Sequence, residues 1–167
     1  MRFRLLAAVV MASIVVVACD SARADGPPDI NYGRDICIEC GMIIDDPRFA
    51  AAYQLDDGTE RIFDDLGGLI LSGRERGELN TADVWVSDFD NEILVEAISA
   101  YFVPTLGVAS PMGHGILAYS DRSRAEAMAS ELDGEVIAWD TVVDLPVLDG
   151  LVGGHHEEHG EHGEHDG

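Results

Sequence analysis

Lysine is absent from this sequence, and ten arginines stand against 32 acidic residues. The formal net charge is therefore −22 over 167 residues, and the acidic residues are spread along the chain. A surface of this sign repels nucleic acid phosphates and anionic lipid headgroups, so we expect neither as a direct partner. It attracts cations and basic protein surfaces, although a high net charge also serves solubility alone.

Cysteine is scarce, and the usual catalytic signatures are missing. The chain has three cysteines and a single C-x-x-C motif, at Cys37 and Cys40, which excludes the four cysteine ligands of a zinc ribbon. No Ser/His/Asp set, phosphate-binding loop or nucleotide fingerprint is present. A helix N-cap accounts for one carboxylate of the pair Asp64 and Asp65 without any catalytic role. We therefore expect a binding protein and not an enzyme.

Long apolar runs are limited to the N-terminus, where about 14 uncharged residues, 5–18, follow Arg2 and Arg4. A membrane-spanning helix needs about 20 apolar residues, so this run indicates an export signal. The run ends directly before Cys19 and resembles a bacterial lipobox, in which the peptide is cut before a cysteine that is then lipidated. The alternative is an ordinary signal peptide cut after Ala24.

We therefore assign residues 1–18 to a lipoprotein signal peptide and Cys19 to the lipidation site. Residues 19–31 are predicted to be a flexible tether, because they contain glycine, proline and small polar residues. Asp20 resembles the retention signal of many Gram-negative inner-membrane lipoproteins. These features predict a domain anchored by lipid at the periplasmic face of the inner membrane. That compartment is oxidising, so a nearby cysteine pair can close into a disulfide there.

Soft metal ligands occur in two short segments about seventy residues apart. The first is a C-x-x-C-G-M motif, which supplies Cys37, Cys40 and Met42. The second is a Pro-Met-Gly-His-Gly loop, which supplies Met112 and His114. Thiolate, thioether and imidazole ligands together suit Cu(I) above other ions. The residues alone leave three interpretations of the cysteine pair open: a metal site, a thiol-redox pair or a structural disulfide.

Hydrophobic patterns and turn residues predict a mixture of strands and helices. Strands are predicted at 49–55, 60–63, 84–86, 93–103, 115–119 and 135–139, and helices at 64–73, 120–132 and, for one last turn, 140–145. Gly134 is expected to close the second helix. The order strand, strand, helix, strand occurs in each half. This order predicts an α+β fold of two small ββαβ-type units, over residues 32–100 and 101–152.

The composition changes after residue 152, where only glycine, histidine and acidic residues follow. Such a segment cannot bury a core, so residues 153–167 are predicted to be a disordered tail. Histidine-rich tracts bind divalent copper, zinc or nickel, which makes the tail an auxiliary metal-site candidate; a purely solvating role is the alternative. The histidines concerned are His155, His156, His159, His162 and His165.

Three motifs in order resemble the NosL family of lipoprotein copper chaperones: the C-x-x-C-G-M motif, the segment from Phe63 to Asp65, and the Met-Gly-His loop. The resemblance covers about residues 35–145, and the lipobox agrees with it. It implies a fold similar to two small ββαβ units, related to the organomercurial lyase fold.

The resemblance also implies a function. The protein would hold Cu(I) and deliver it for assembly of the copper centre of nitrous oxide reductase, through a maturation machinery that includes an ABC-type transporter complex. Cu(I) commonly takes fewer than five ligands, so some of the candidates are spare or used in transfer. By position those candidates are Cys37, Cys40, Met42, Met112 and His114. The competing interpretations are a periplasmic thiol-redox lipoprotein and a structural lipoprotein stapled by a disulfide.

Overall fold

The structure, a computed structural model, describes residues 25–145. The predicted signal peptide, Cys19 and the five tail histidines lie outside the described residues. Within residues 25–145 the chain forms six strands, three α-helices and one short 3-10 helix, which confirms the predicted α+β class. None of the helices in this range is long and apolar enough to cross a membrane.

The main sheet is antiparallel and contains β1 (Ala51–Gln54), β2 (Glu60–Phe63), β3 (Asp83–Ser87) and β4 (Leu94–Glu96). Its spatial order is β2-β1-β3-β4. The first two strands form the hairpin that the Asp-Asp-Gly sequence predicts. Gly58 takes φ 81° in the turn, a conformation that glycine adopts without steric cost.

Helix α1 (Leu66–Arg76) connects β2 to β3 and begins where the sequence predicts. The Asp65 side chain caps it by accepting a hydrogen bond from Gly67 N over 2.8 Å. The helix continues past its predicted end at Gly73, where the missing side chain leaves room for Leu79, whose Cδ2 lies 2.6 Å from where a Cβ would be. It ends at Gly77, which has a left-handed φ of 68°.

A second, two-stranded sheet pairs β5 (Tyr101–Pro104) with β6 (Ile116–Tyr119) in antiparallel orientation. Helix α2 (Arg122–Glu131) follows and packs on both strands. Its N-cap is Asp121, whose side chain accepts from Arg124 N over 3.0 Å. The connection between β5 and β6 carries the Met-Gly-His sequence, so this sheet holds both ends of the predicted ligand loop.

One prediction for the second half is wrong and another is confirmed. The strand predicted at 135–139 is reduced to one bridge, in which Ile137 and Phe102 exchange backbone hydrogen bonds of 2.9 Å. The ladder stops there because a short third helix, α3 (Trp139–Val142), begins two residues later. Gly134 closes α2 as predicted, because its N donates to Ala129 O over 2.8 Å; the left-handed residue of this cap is Asp133, with φ 51°. The first half therefore shows the full ββαβ order with β4 added, and the second shows ββα with one bridge.

The larger hydrophobic core combines side chains from the main sheet, α1 and β5. Phe63 and Leu69 from the first half meet Phe102 and Val142 from the second, and all four are fully buried. Cys37 belongs to the same core, with 1% of its surface exposed. Burial of this side chain anchors the cysteine loop to the folded domain.

An ion pair fixes the C-terminal end of α1 to the main sheet. Glu78, just beyond the helix, accepts hydrogen bonds from Arg61 Nε over 2.7 Å and from the Tyr53 hydroxyl over 2.5 Å. These bonds lower the pKa of Glu78 to about 2. Their contribution to stability is present above the ordinary carboxyl pKa and is lost as the pH falls towards 2. The helix is thus held at the end opposite to the ligand loops.

Candidate metal centre

The cysteine loop is a tight turn that its own backbone closes. Ile36 and Ile43 form an isolated bridge at its base. Inside this bridge, Cys37 N donates to Met42 O over 2.8 Å, and Gly41 N donates to Cys37 O over 3.0 Å. Gly41 takes φ 73°, which explains why glycine follows the second cysteine. The motif therefore specifies a compact loop whose sulfur atoms are held near one another.

Both thiols of this loop are free, and a carboxylate joins them. Cys37 is buried, whereas Cys40 is exposed. One ligand atom from each of Cys37, Cys40 and Asp64 lies within 4.8 Å of the other two. The Cys40 thiol donates to Asp64 Oδ2 over 3.4 Å. The loop thus presents one inward and one outward sulfur beside a carboxylate from the end of β2.

Two buried polar side chains at this centre have atoms without hydrogen-bond partners. Asp64 is 2% exposed and its Oδ1 has no partner. His114 is 3% exposed, and neither of its ring nitrogens has one. Unpaired buried polar atoms are rare in folded proteins, and each costs free energy unless an ion or water satisfies it. A metal ion is a chemically suitable partner for carboxylate oxygen and imidazole nitrogen.

A hydrogen-bonded clamp holds the Met-Gly-His loop against the start of α1. Asp65 Oδ2 accepts from the Ser110 hydroxyl over 2.5 Å and from Met112 N over 3.0 Å. The Ser110 hydroxyl accepts in turn from Gly115 N over 2.9 Å. Asp65 therefore caps α1 with one carboxylate oxygen and positions the loop with the other.

Two glycines at the start of α1 make room for the ligands of this loop. A Cβ at Gly67 would lie 2.2 Å from His114 Cγ, and a Cβ at Gly68 would lie 2.6 Å from Met112 Sδ. The Gly68 position also faces the cysteine loop, since its Cβ would lie 3.9 Å from Glu39 Cβ. The start of α1 is thus the meeting point of both ligand loops, which accounts for two glycines in a helix that they weaken.

Met42 lies on the solvent side of this centre, with 46% of its surface exposed. It lines an open pocket of about 400 Å³ together with Asp64, Ser110 and Pro111. The structure therefore brings the five predicted ligands to the surroundings of the start of α1, namely Cys37, Cys40, Met42, Met112 and His114. Their roles as ligands stay predictions.

Burial raises the pKa of the Cys37 thiol to about 12. At neutral pH this sulfur therefore carries its proton in the metal-free protein. A cation that binds Cys37 must displace that proton, so its apparent affinity rises with pH.

Sequence reasoning missed the part that Asp64 plays in this geometry. It explained one carboxylate of the Asp64–Asp65 pair as a helix cap, and the structure assigns that cap to Asp65. A signal was present, because one N-cap requires one carboxylate and the other aspartate was left without a role. The clamp through Ser110 had no such signal, since it joins residues that are 45 positions apart.

Comparison with known proteins gives two positive findings. The NosL family model matches residues 31–145. The crystal structure of the copper chaperone NosL from Shewanella denitrificans matches with a TM-score of 0.59 at 21% sequence identity, over 69% of this chain and 93% of that chain. At this identity the match shows a shared fold. No curated protein matches the sequence. Because the family model covers more than half of the chain, this protein belongs to the NosL family.

Proposed function

We propose that this protein is a copper chaperone that binds Cu(I) as its cargo and passes it on without catalysing a reaction. The observation that carries the proposal is the meeting of the two ligand loops at the start of α1, where His114 is buried without a hydrogen-bond partner. Two sulfur types and one imidazole form a donor set that suits Cu(I). Family membership supports the same function, as does the copper chaperone named among the similar structures.

The exposure of the ligands suits transfer and not permanent storage. Cys37 and His114 are buried, whereas Cys40 is exposed and Met42 is 46% exposed. An acceptor protein can therefore approach the ion from the side of Cys40 and Met42. Thioether and imidazole ligands bind more weakly than paired thiolates, which lets an incoming ligand replace them one at a time. We infer that Cys40 and Met42 are the ligands of the transfer step.

A thiol-redox function is less well supported by the same geometry. Disulfide exchange needs a thiolate, and reactive cysteines have a lowered pKa. Burial instead raises the pKa of Cys37 to about 12, which keeps this sulfur in its less reactive form. Cys37 is therefore a poor attacking thiol, which argues against a redox role that uses this sulfur as the nucleophile.

Anaerobic titration of the reduced protein with Cu(I), against a competing chelator, tests this proposal. We expect tight binding of about one equivalent that survives deletion of residues 154–167. Met112→Leu preserves volume but removes the sulfur, so it should weaken this binding at least about tenfold. Met128→Leu on α2 is the matched control and should bind like the wild type. Loss of tight binding on tail deletion, or no effect of Met112→Leu, would contradict the mixed-ligand site.

We further propose that a lipid on Cys19 anchors the domain at the periplasmic face of the inner membrane, and that nitrous oxide reductase receives the copper through its ABC-type maturation complex. The lipobox and family membership support both parts. Cys19→Ser should move the protein from the membrane fraction to the soluble periplasm and lower the copper content of the reductase. An unchanged membrane fraction would exclude the anchor, and full reductase copper without this protein would exclude the delivery role.

A further inference from the structure

Two adjacent pockets lie on the side of the domain where the described residues end. The first, of about 290 Å³, lies between the C-terminal end of α1 and α3. The second, of about 270 Å³, lies between β3, the turn after β4 and α3. Trp139 lines both pockets, and we call the two together the Trp139 groove. Its apolar walls also include Leu79 and Val143 in the first pocket, and Trp85 and Ile98 in the second.

We propose that residues 147–152 of this chain pack into the Trp139 groove and close the domain there. This segment lies outside the described residues and has four apolar side chains in two pairs, 147–148 and 151–152, separated by an Asp-Gly dipeptide. It also lies beyond the residues that the NosL family model matches, so the packing is expected of this chain and not of the family in general. The proposal does not rest on the copper function.

The path of the chain leads into the groove. Val143 lines the first pocket, and Leu145 packs against the larger core beside it. Pro146 cannot continue the helical hydrogen bonding that begins in α3, and it favours extended backbone in the residue before it. From Leu145 to Val152 an extended chain covers up to about 23 Å. This length can pass along both pockets, because they share Trp139 and are therefore adjacent.

The groove has apolar surface that the described residues leave uncovered. Leu79, Trp139 and Val143 pack against the larger core but are only half-buried. Ile98, at the edge of the second pocket, is 74% exposed. Sites for small molecules usually enclose about 300–1,000 Å³, so each of these pockets is better suited to one or two side chains than to a free ligand. Two apolar pairs for two pockets match this division, and their burial is favourable.

Tryptophan fluorescence of the metal-free mature protein reports on this packing directly. The chain has two tryptophans, Trp85 and Trp139, and both line the groove. Leu148→Ser combined with Leu151→Ser should shift the emission to longer wavelength and increase its quenching by acrylamide, because water reaches the indole of Trp139. The same variant should have a Tm at least about 5 °C lower, since two buried leucines are lost. Leu106→Ser is the matched control and should behave like the wild type, because Leu106 is 77% exposed and lies outside the groove.

A substitution in the wall of the groove tests whether the segment packs at this place. Ile98→Ser should lower the Tm in the wild type, where residues 147–152 cover Ile98. In the variant with both leucines replaced, the loss caused by Ile98→Ser should be at least about halved, because residues in contact are not additive. Fully additive losses would mean that the segment and Ile98 are not in contact.

Each outcome decides the proposal. Unchanged emission in the double leucine variant overturns it, whether or not the Tm falls, because the segment then packs away from both tryptophans. Additive losses with Ile98→Ser also overturn it. Sedimentation velocity distinguishes a second copy as the source of the segment: a dimer that the double leucine variant dissociates would contradict packing within one chain. All of these measurements are made without copper, so they leave the proposed chaperone function to its own titration.

Discussion

Replacement of Cys40 by serine should remove tight Cu(I) binding and leave the fold intact. Cys40 is the exposed thiol of the cluster, so the substitution disturbs no core packing. Surface changes of this kind usually alter stability by less than about 0.5 kcal/mol, which corresponds to about 2 °C in Tm. The loss of a soft sulfur ligand should lower Cu(I) affinity by at least about a hundredfold. Chelator competition measures the affinity, and circular dichroism measures the unfolding temperature.

Ile38→Ser is the matched control for this substitution. Ile38 lies in the same loop, is 39% exposed, and is fixed by a backbone hydrogen bond from its N to Ile62 O that serine preserves. Its Cu(I) affinity should stay within about threefold of the wild type, because no ligand atom is removed. Tight binding retained in Cys40→Ser would mean that the exposed thiol is not a ligand, and the proposed transfer side would then have to be abandoned.

The sequence predicts well those strands and helices that are determined by residues close to one another in the chain. The first hairpin follows from an Asp-Gly turn between two apolar runs, and the start of α1 follows from an aspartate cap. Both depend on residues within a few positions of one another, so pattern reasoning reaches them. The predicted strand at 135–139 failed for the opposite reason. The length of that strand depends on whether pairing extends beyond the bridge between Ile137 and Phe102, which are distant in the chain.

The same distinction applies to the candidate site. The ligand types could be read directly from the two motifs, because softness is a property of the side chain alone. The role of Gly67 and Gly68 could not be predicted from the sequence, since glycine within a helix is by itself destabilising. The structure gives the reason for them, because His114 and Met112 pack where their side chains would otherwise be. That the Asp64 carboxylate belongs to the site likewise follows only from its distance to Cys40.

Gly67→Ala is expected to damage the site although it improves the helix. In an ordinary helix, alanine in place of glycine stabilises by up to about 1 kcal/mol. Here the new Cβ would lie 2.2 Å from His114 Cγ, and His114 is 3% exposed, so the ring would have to move within a buried site. Overpacking of this kind costs about 1–3 kcal/mol. We therefore expect a lower free energy of unfolding and, because the imidazole is displaced, Cu(I) affinity at least about tenfold weaker.

A double substitution separates the steric effect from the loss of a ligand. Gly67→Ala combined with His114→Ala removes the colliding ring, so the two stability losses should not add, while Cu(I) affinity stays low. Gly134→Ala is the matched control, since its Cβ would meet its nearest neighbour at an ordinary 3.7 Å. If Gly67→Ala were as stable as this control and bound Cu(I) like the wild type, the His114 ring could not be in contact with α1 at Gly67. The two ligand loops would then not meet there, because the contact with Gly67 is what fixes the imidazole against the helix that follows Asp64.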